Sequence, residues 1–357
     1  MTKFKPQCRA SLIGSMPLDD HDEALELVLS YVSEIPAWVQ LPVHAQEQMM
    51  VQYLAGFPGL VEKQGQPPFI DTDGKAFEKD ILSFYEEFIA VSEGQKPLDE
   101  SRFVLTPATA QGFFVFMKKM ISAPTPPLAV KGQITGPITL ATAIKDHNQK
   151  AIFYNEQLRD AAVKLLAQKA RWQVLQLQKI STNVNIFFDE PGLAGFGSSA
   201  FISISEKEVS ACFAEVIESV QMIGALAGIH VCANTQWSLI LESSVNIASF
   251  DAYSYFDKFA LYPNHIKEFI NRGGILSWGI VPTSNPDDID RETASSLAAR
   301  LQAQFSVLVE LGVDKNLLFD QSMITPSCGM GSLSVPHAKK VLALTRDVSR
   351  TIRESFQ

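Results

Sequence analysis

Val184 to Pro191 reads VNIFFDEP, an apolar run of strand length that stops at two carboxylates and a proline. Runs of the same kind recur on both sides of it. They are ASLIGS (10–15), AWVQLP (37–42), FVLTP (103–107), LAVKGQITG (128–136), AGIHVC (227–232), NIASFDAY (246–253), ILSWGIV (275–281) and LFDQSMITP (318–326). Segments of helical period lie between them. DDHDEALELVLSYVSE (19–34) opens with carboxylates that suit the positive end of a helix dipole, and EQLRDAAVKLLAQKARWQVLQLQKI (156–180) is longer still. SEKEVSACFAEVIESVQMIGALAG (205–228) begins with a Ser-x-x-Glu capping box, Ser205 to Glu208, and stops at Gly224 or Gly228. Strands alternating with helices predict an α/β chain whose parallel sheet closes into a (β/α)8 TIM barrel. Nine runs are one too many, so FVLTP or LFDQSMITP lies outside the barrel. FPGLVEKQGQPPFIDTDG (57–74), with turn residues at both ends, predicts a β-hairpin inserted after the second βα unit.

The 357 residues fit one such barrel, and no repeat or low-complexity linker divides them, so residues 1–357 are read as a single domain. With 46% hydrophobic and 19% charged residues the chain has material for a large core. A net charge of -9 argues against a nucleic-acid partner, which needs clustered Lys and Arg. No run approaches the roughly 18 apolar residues of a membrane span, and the first residues lack the apolar segment of a secretory signal. A cytoplasmic protein with no membrane partner is expected. Four cysteines, Cys8, Cys212, Cys232 and Cys328, are too few for a disulfide framework. Cys212 falls in a helix-period segment and reads as core, and Cys8 carries no partner signal.

The chemically interesting residues gather where candidate strands end: Gly14-Ser15, Asp189-Glu190, His230-Val231-Cys232, Asp251 and Cys328. In a barrel those ends form one face, the face that carries catalysis. His230 and Cys232, two apart on a strand, point to the same side and can share a ligand. Zinc prefers imidazole and thiolate in a tetrahedral array, and a catalytic site keeps one position for substrate. Cys328, between a strand end and the glycines at 329 and 331, can supply the third ligand, and Asp251 a fourth. Asp189 and Glu190 are adjacent, so only one of them faces the site, and Asp189 is the choice.

Ile13-Gly14-Ser15, KGQITGPITLA (Lys131 to Ala141), FFDEPGL (Phe187 to Leu193), HVC and TPSCGMG (Thr325 to Gly331) are similar, in order and spacing, to the C-terminal catalytic barrel of cobalamin-independent methionine synthase. The resemblance spans nearly the whole chain. The His-x-Cys pair and distant Cys are also shared with corrinoid-dependent methyltransferases of the wider uroporphyrinogen decarboxylase-like superfamily. The resemblance implies a zinc cofactor held by His230, Cys232 and Cys328, with Asp251 in the place of the synthase's glutamate ligand. It implies that Ser15 and Asp189 hold the amino-acid end of homocysteine, with a further carboxylate near Gln46 and Glu47. Asp189 and Cys232 thereby become the residues nearest the chemistry. The implied reaction is methyl transfer to the homocysteine thiol, giving methionine, from methyl-tetrahydrofolate or a methylcorrinoid protein. Two positions depart from the synthase: Ala143 stands where an aromatic lies against the pterin, and Thr283 near a late-strand histidine.

Two other readings compete. A uroporphyrinogen decarboxylase-like enzyme should show arginines at strand ends, where only Arg9, just before the first strand, is placed. A barrel that binds zinc, thiol or corrinoid without turnover would retain both ligands and form no thioether.

Overall fold

The computed structural model describes residues 4–63, 65–196, 201 and 203–356. Ten strands are present among them: β1 (Arg9–Ala10), β2 (Leu60–Val61), β3 (Phe69–Ile70), β4 (Val130–Thr135), β5 (Lys145–Asp146), β6 (Val184–Asp189), β7 (Leu226–Val231), β8 (Ile247–Phe250), β9 (Ile275–Val281) and β10 (Ser322–Pro326). Seven of them form one curled parallel sheet in the order β1-β10-β9-β8-β7-β6-β4. Helices cover its outer side, as the alternation of strands and helices predicts.

The fold is TIM-barrel-like, but it is not a closed eight-stranded barrel. The stretch Ala37–Gln40 lies between the two edges and pairs only through the isolated bridges Ser15↔Gln40 and Ala37↔Lys131. Its residue types read as a strand, yet Pro36 and Pro42 bracket it and neither can donate to a ladder. FVLTP is the surplus run: it forms no strand, and its Phe103 and Leu105 are buried ahead of the helix Pro107–Ile121. LFDQSMITP divides into the end of a short helix, Lys315–Asp320, and β10. The expected hairpin is present as β2 and β3, with Leu60 opposite Ile70, and β5 extends it to three strands.

Side-chain alternation along the strands sorts the core. Ala129, Phe187, Ile247, Ile275 and Met323, with Ile35, form a small buried cluster, near the N-terminal ends of their strands except for Phe187, the fourth residue of β6. Their neighbours Val130, Ile186, Phe188, Ala248, Leu276 and Ile324 join the main core instead. The inner face thus has an apolar floor, and polar residues stand above it toward the C-terminal ends. The capping box is formed: Ser205 Oγ accepts from the Glu208 N–H and the Glu208 carboxylate accepts from the Ser205 N–H. That helix ends at Gln221, ahead of Gly224, whereas Gly228 lies within β7. No described helix is long and apolar enough to cross a membrane.

Candidate metal and substrate site

At the C-terminal end of the sheet a cavity of about 690 Å³ is lined by Ser15, Gln40, Asp189, His230, Cys232 and Cys328 among others. Five of these six were singled out in the sequence, and four different strands or strand ends bring them together. The ligand atoms of His230, Cys232 and Cys328 all lie within 4.8 Å of one another. His230 Nδ1 is 3.0 Å from Ser249 Oγ on the neighbouring strand, which orients the ring. The other ring nitrogen, Nε2, is buried without a hydrogen-bond partner among the described residues. A buried imidazole nitrogen is not ordinarily left unpaired. One free imidazole nitrogen beside two sulfurs is the donor set that zinc takes, so these residues fit the metal.

The neighbouring Cys328 and His230 hold the Cys232 thiol far below its usual range despite burial. Cys328 is driven up by Cys232 beside it and by burial. The remaining thiols are of another kind: burial raises both, Cys212 to about 12, and each packs within the hydrophobic core.

Asp189 is 4% exposed, and its Oδ1 also lacks a partner among the described residues. Burial pushes its carboxyl up to about 6, while Lys131 and His230 pull it down. Glu190 points elsewhere: its two oxygens accept from the N–H groups of Ile138 at 2.9 Å and Thr139 at 2.7 Å. It therefore anchors the start of the helix Pro137–Ala143.

Asp251 is buried at the end of β8 and caps the helix Ala252–Phe259, accepting from the Ser254 N–H at 2.8 Å. It stands outside the group of three close ligand atoms, although Cys232 and His230 both act electrostatically on its carboxyl. Gln46 is exposed and does not line the cavity. Glu47 does line it, but its carboxylate already accepts from the Leu41 N–H at 2.8 Å and the Gln111 N–H at 3.1 Å and contacts His21 Nε2 at 2.7 Å. Thr283 is buried against Ser327, their hydroxyls 3.0 Å apart, and Ala143 borders a separate cleft beside the hairpin.

The sequence reading missed Gln40 and the buried pair Lys131 and Gln133. Gln40 Nε2 donates to Gln52 Oε1 at 2.6 Å and to Tyr53 Oη at 3.1 Å, which turns its carbonyl oxygen away from them. The signal for Lys131 was the alternation Lys131, Gln133, Thr135 along one strand face.

Gly329 packs closely on the Ser15 hydroxyl, which would have to turn aside for any side chain there. A Cβ there would lie 2.1 Å from Ser15 Oγ, and one at Gly331 would lie 2.5 Å from Pro42 Cγ. The Cys328 loop is stitched to the first strand end by the Met330 N–H, which donates to Ser15 O at 2.9 Å, and by the Gly331 N–H, 3.2 Å from Ser15 Oγ. Gly329→Ala is expected to lower unfolding free energy by about 1–3 kcal/mol through overpacking, read by urea denaturation. A change below about 0.5 kcal/mol would show that the loop has slack.

No protein-family model matches the sequence, and no curated protein matches it either. Among solved structures, the chain is similar to a B12-independent methionine synthase from Shewanella sp. W3-18-1 in complex with selenomethionine. That likeness has a TM-score of 0.56 at 16% identity and covers 97% of this chain and 98% of the other. A methyltransferase from Methanosarcina mazei gives a TM-score of 0.48 at 13% identity, covering 100% of this chain and 95% of that one. At 16% identity, what the chain shares with the methionine synthase is the fold.

Proposed function

We propose that this chain is a zinc-dependent methyltransferase that methylates the thiol of homocysteine to give methionine, with methyl-tetrahydrofolate or a methylcorrinoid as donor. The observation that carries the proposal is the convergence of His230, Cys232 and Cys328 within 4.8 Å, the histidine nitrogen unpartnered, in a cavity shared with Asp189. The similarity in fold to a methionine synthase that holds selenomethionine, the selenium counterpart of methionine, supports the same direction.

Zinc bound there would stabilise the thiolate of the acceptor, a group whose free thiol, near pKa about 8.5, is mostly protonated at neutral pH. The chain's own residues do the rest. Ser249 fixes the His230 ring so that Nε2 faces the sulfurs. Asp189 offers an unpaired carboxylate oxygen to the substrate ammonium, a charge-assisted contact in a buried wall. Ser15 accepts from the Gly331 N–H and keeps its own hydroxyl proton for the substrate carboxylate. Held at both ends, the amino acid can direct its thiol at only one part of the cavity. Of the two donors, the methylcorrinoid is favoured, because Thr283, near where the resembled synthase has a histidine, has its hydroxyl paired with Ser327.

The test is direct. Zinc-loaded protein incubated with homocysteine and either methyl-tetrahydrofolate or methylcobalamin is expected to form methionine with at least one donor. A chelator is expected to abolish the product and added zinc to restore it. Methionine formation that survives complete zinc removal would overturn the mechanism, and no methionine from either donor would overturn the assignment.

A further inference from the structure

Lys131 lies on the inner face of β4 and is 0% exposed. Its Nζ donates to Ile13 O at 2.7 Å and reaches Gln133 Oε1 at 3.4 Å, and it sits 4.4 Å above the Phe187 ring. All three neighbours are neutral. Asp189 acts on it only at longer range, and burial brings the ammonium down to about 8, which leaves it charged at neutral pH. A buried charge without an ion-pair partner costs stability, and an apolar side chain of similar volume would fill the space more cheaply. Packing therefore gives no reason for a lysine here.

The contact with Ile13 supplies one. Ile13 lines the cavity, and the peptide that joins it to Gly14 leads directly into Ser15. Gly14 holds φ +147 with no room for a Cβ, which would meet the Gln133 amide at 2.8 Å. Ser15 in turn carries the Cys328 loop through Met330 and Gly331. A cation pressed on the Ile13 carbonyl pins this turn and makes that wall of the cavity positive. Asp189 makes the opposite requirement at its own place.

We infer that Lys131 is a positioning residue for the acceptor: its ammonium fixes the Ile13–Gly14 peptide beside Ser15 and supplies the positive potential that a substrate carboxylate needs. The inference rests on the proposed function and concerns one end of the substrate. It separates two thiols, homocysteine and 3-mercaptopropylamine, which keeps the thiol and the ammonium but lacks the carboxylate.

Calorimetric titration of the zinc-loaded protein with each thiol is the test. Wild type is expected to bind homocysteine at least about tenfold more tightly than the amine. Lys131→Met is expected to weaken homocysteine about tenfold more than it weakens 3-mercaptopropylamine, any effect passed through Asp189 falling on both thiols, and to keep its zinc. Lys131→Gln, which keeps a neutral donor, should behave like Lys131→Met. Equal weakening of both thiols, restoration by Gln, or a Lys131→Met chain that does not fold would each overturn the inference. If wild type binds neither thiol, the proposed function itself fails; if wild type and Lys131→Met bind homocysteine equally, only the role of Lys131 does.

Discussion

Cys328→Ser is expected to lower zinc affinity by more than about 100-fold, beyond the 10- to 100-fold typical of losing a mere supporting contact, and to take methyl transfer down with it. A serine hydroxyl stays protonated where a thiol ionises, so only His230 and Cys232 would remain as donors. The fold should survive, because Cys328 lines the cavity and is only partly buried. Cys212→Ser is the matched control. It removes a buried thiol from the helix Glu206–Gln221, and its zinc content should stay at wild type even if stability falls. Metal analysis of the purified variants, with thermal denaturation alongside, reads both expectations. A Cys328→Ser protein that keeps full zinc would remove Cys328 from the site.

The second large effect belongs to Asp189. Asp189→Asn preserves size but ends the charge-assisted contact to an ammonium, a loss of about 1.5–3 kcal/mol, or roughly 10- to 150-fold in KM for homocysteine. The turnover number should change much less, since the sulfur end of the site is untouched. With 4-mercaptobutanoate, which lacks the amino group, the same substitution should leave KM nearly unaffected. Steady-state kinetics with the two thiols separates this from general damage, and an equal loss on both would contradict the assignment. Zinc content serves as the internal check.

How much of this was legible in the sequence follows from periodicity. His230 and Cys232 could be placed on one side of β7 because a strand repeats every two residues, and the same rule set Asp189 apart from Glu190. The three-residue cluster is legible only with residues 230, 232 and 328 placed at strand ends on one face. Closure of the barrel was not legible. AWVQLP has the residue types of a strand, and its two flanking prolines were the warning that a full ladder would not form. FVLTP was mistaken for a strand because burial under a helix selects the same apolar residues as burial in a sheet. Gln46 and Glu47 could not be ranked, since a loop has no period to say which side chain turns inward; the structure turns Glu47 in and then occupies its carboxylate. Lys131 was overlooked because a lysine ordinarily reads as surface, and its burial depends on Ile13 and Phe187 arriving from other strands.

In the proposed chemistry a zinc ion held by His230, Cys232 and Cys328 would receive the substrate's sulfur. Zinc-edge X-ray absorption of the purified protein, before and after homocysteine, measures this directly. About two sulfurs near 2.3 Å from zinc are expected in the free protein and about three once homocysteine is added. A sulfur count that does not rise on adding homocysteine, in protein that carries one zinc per chain, would contradict it.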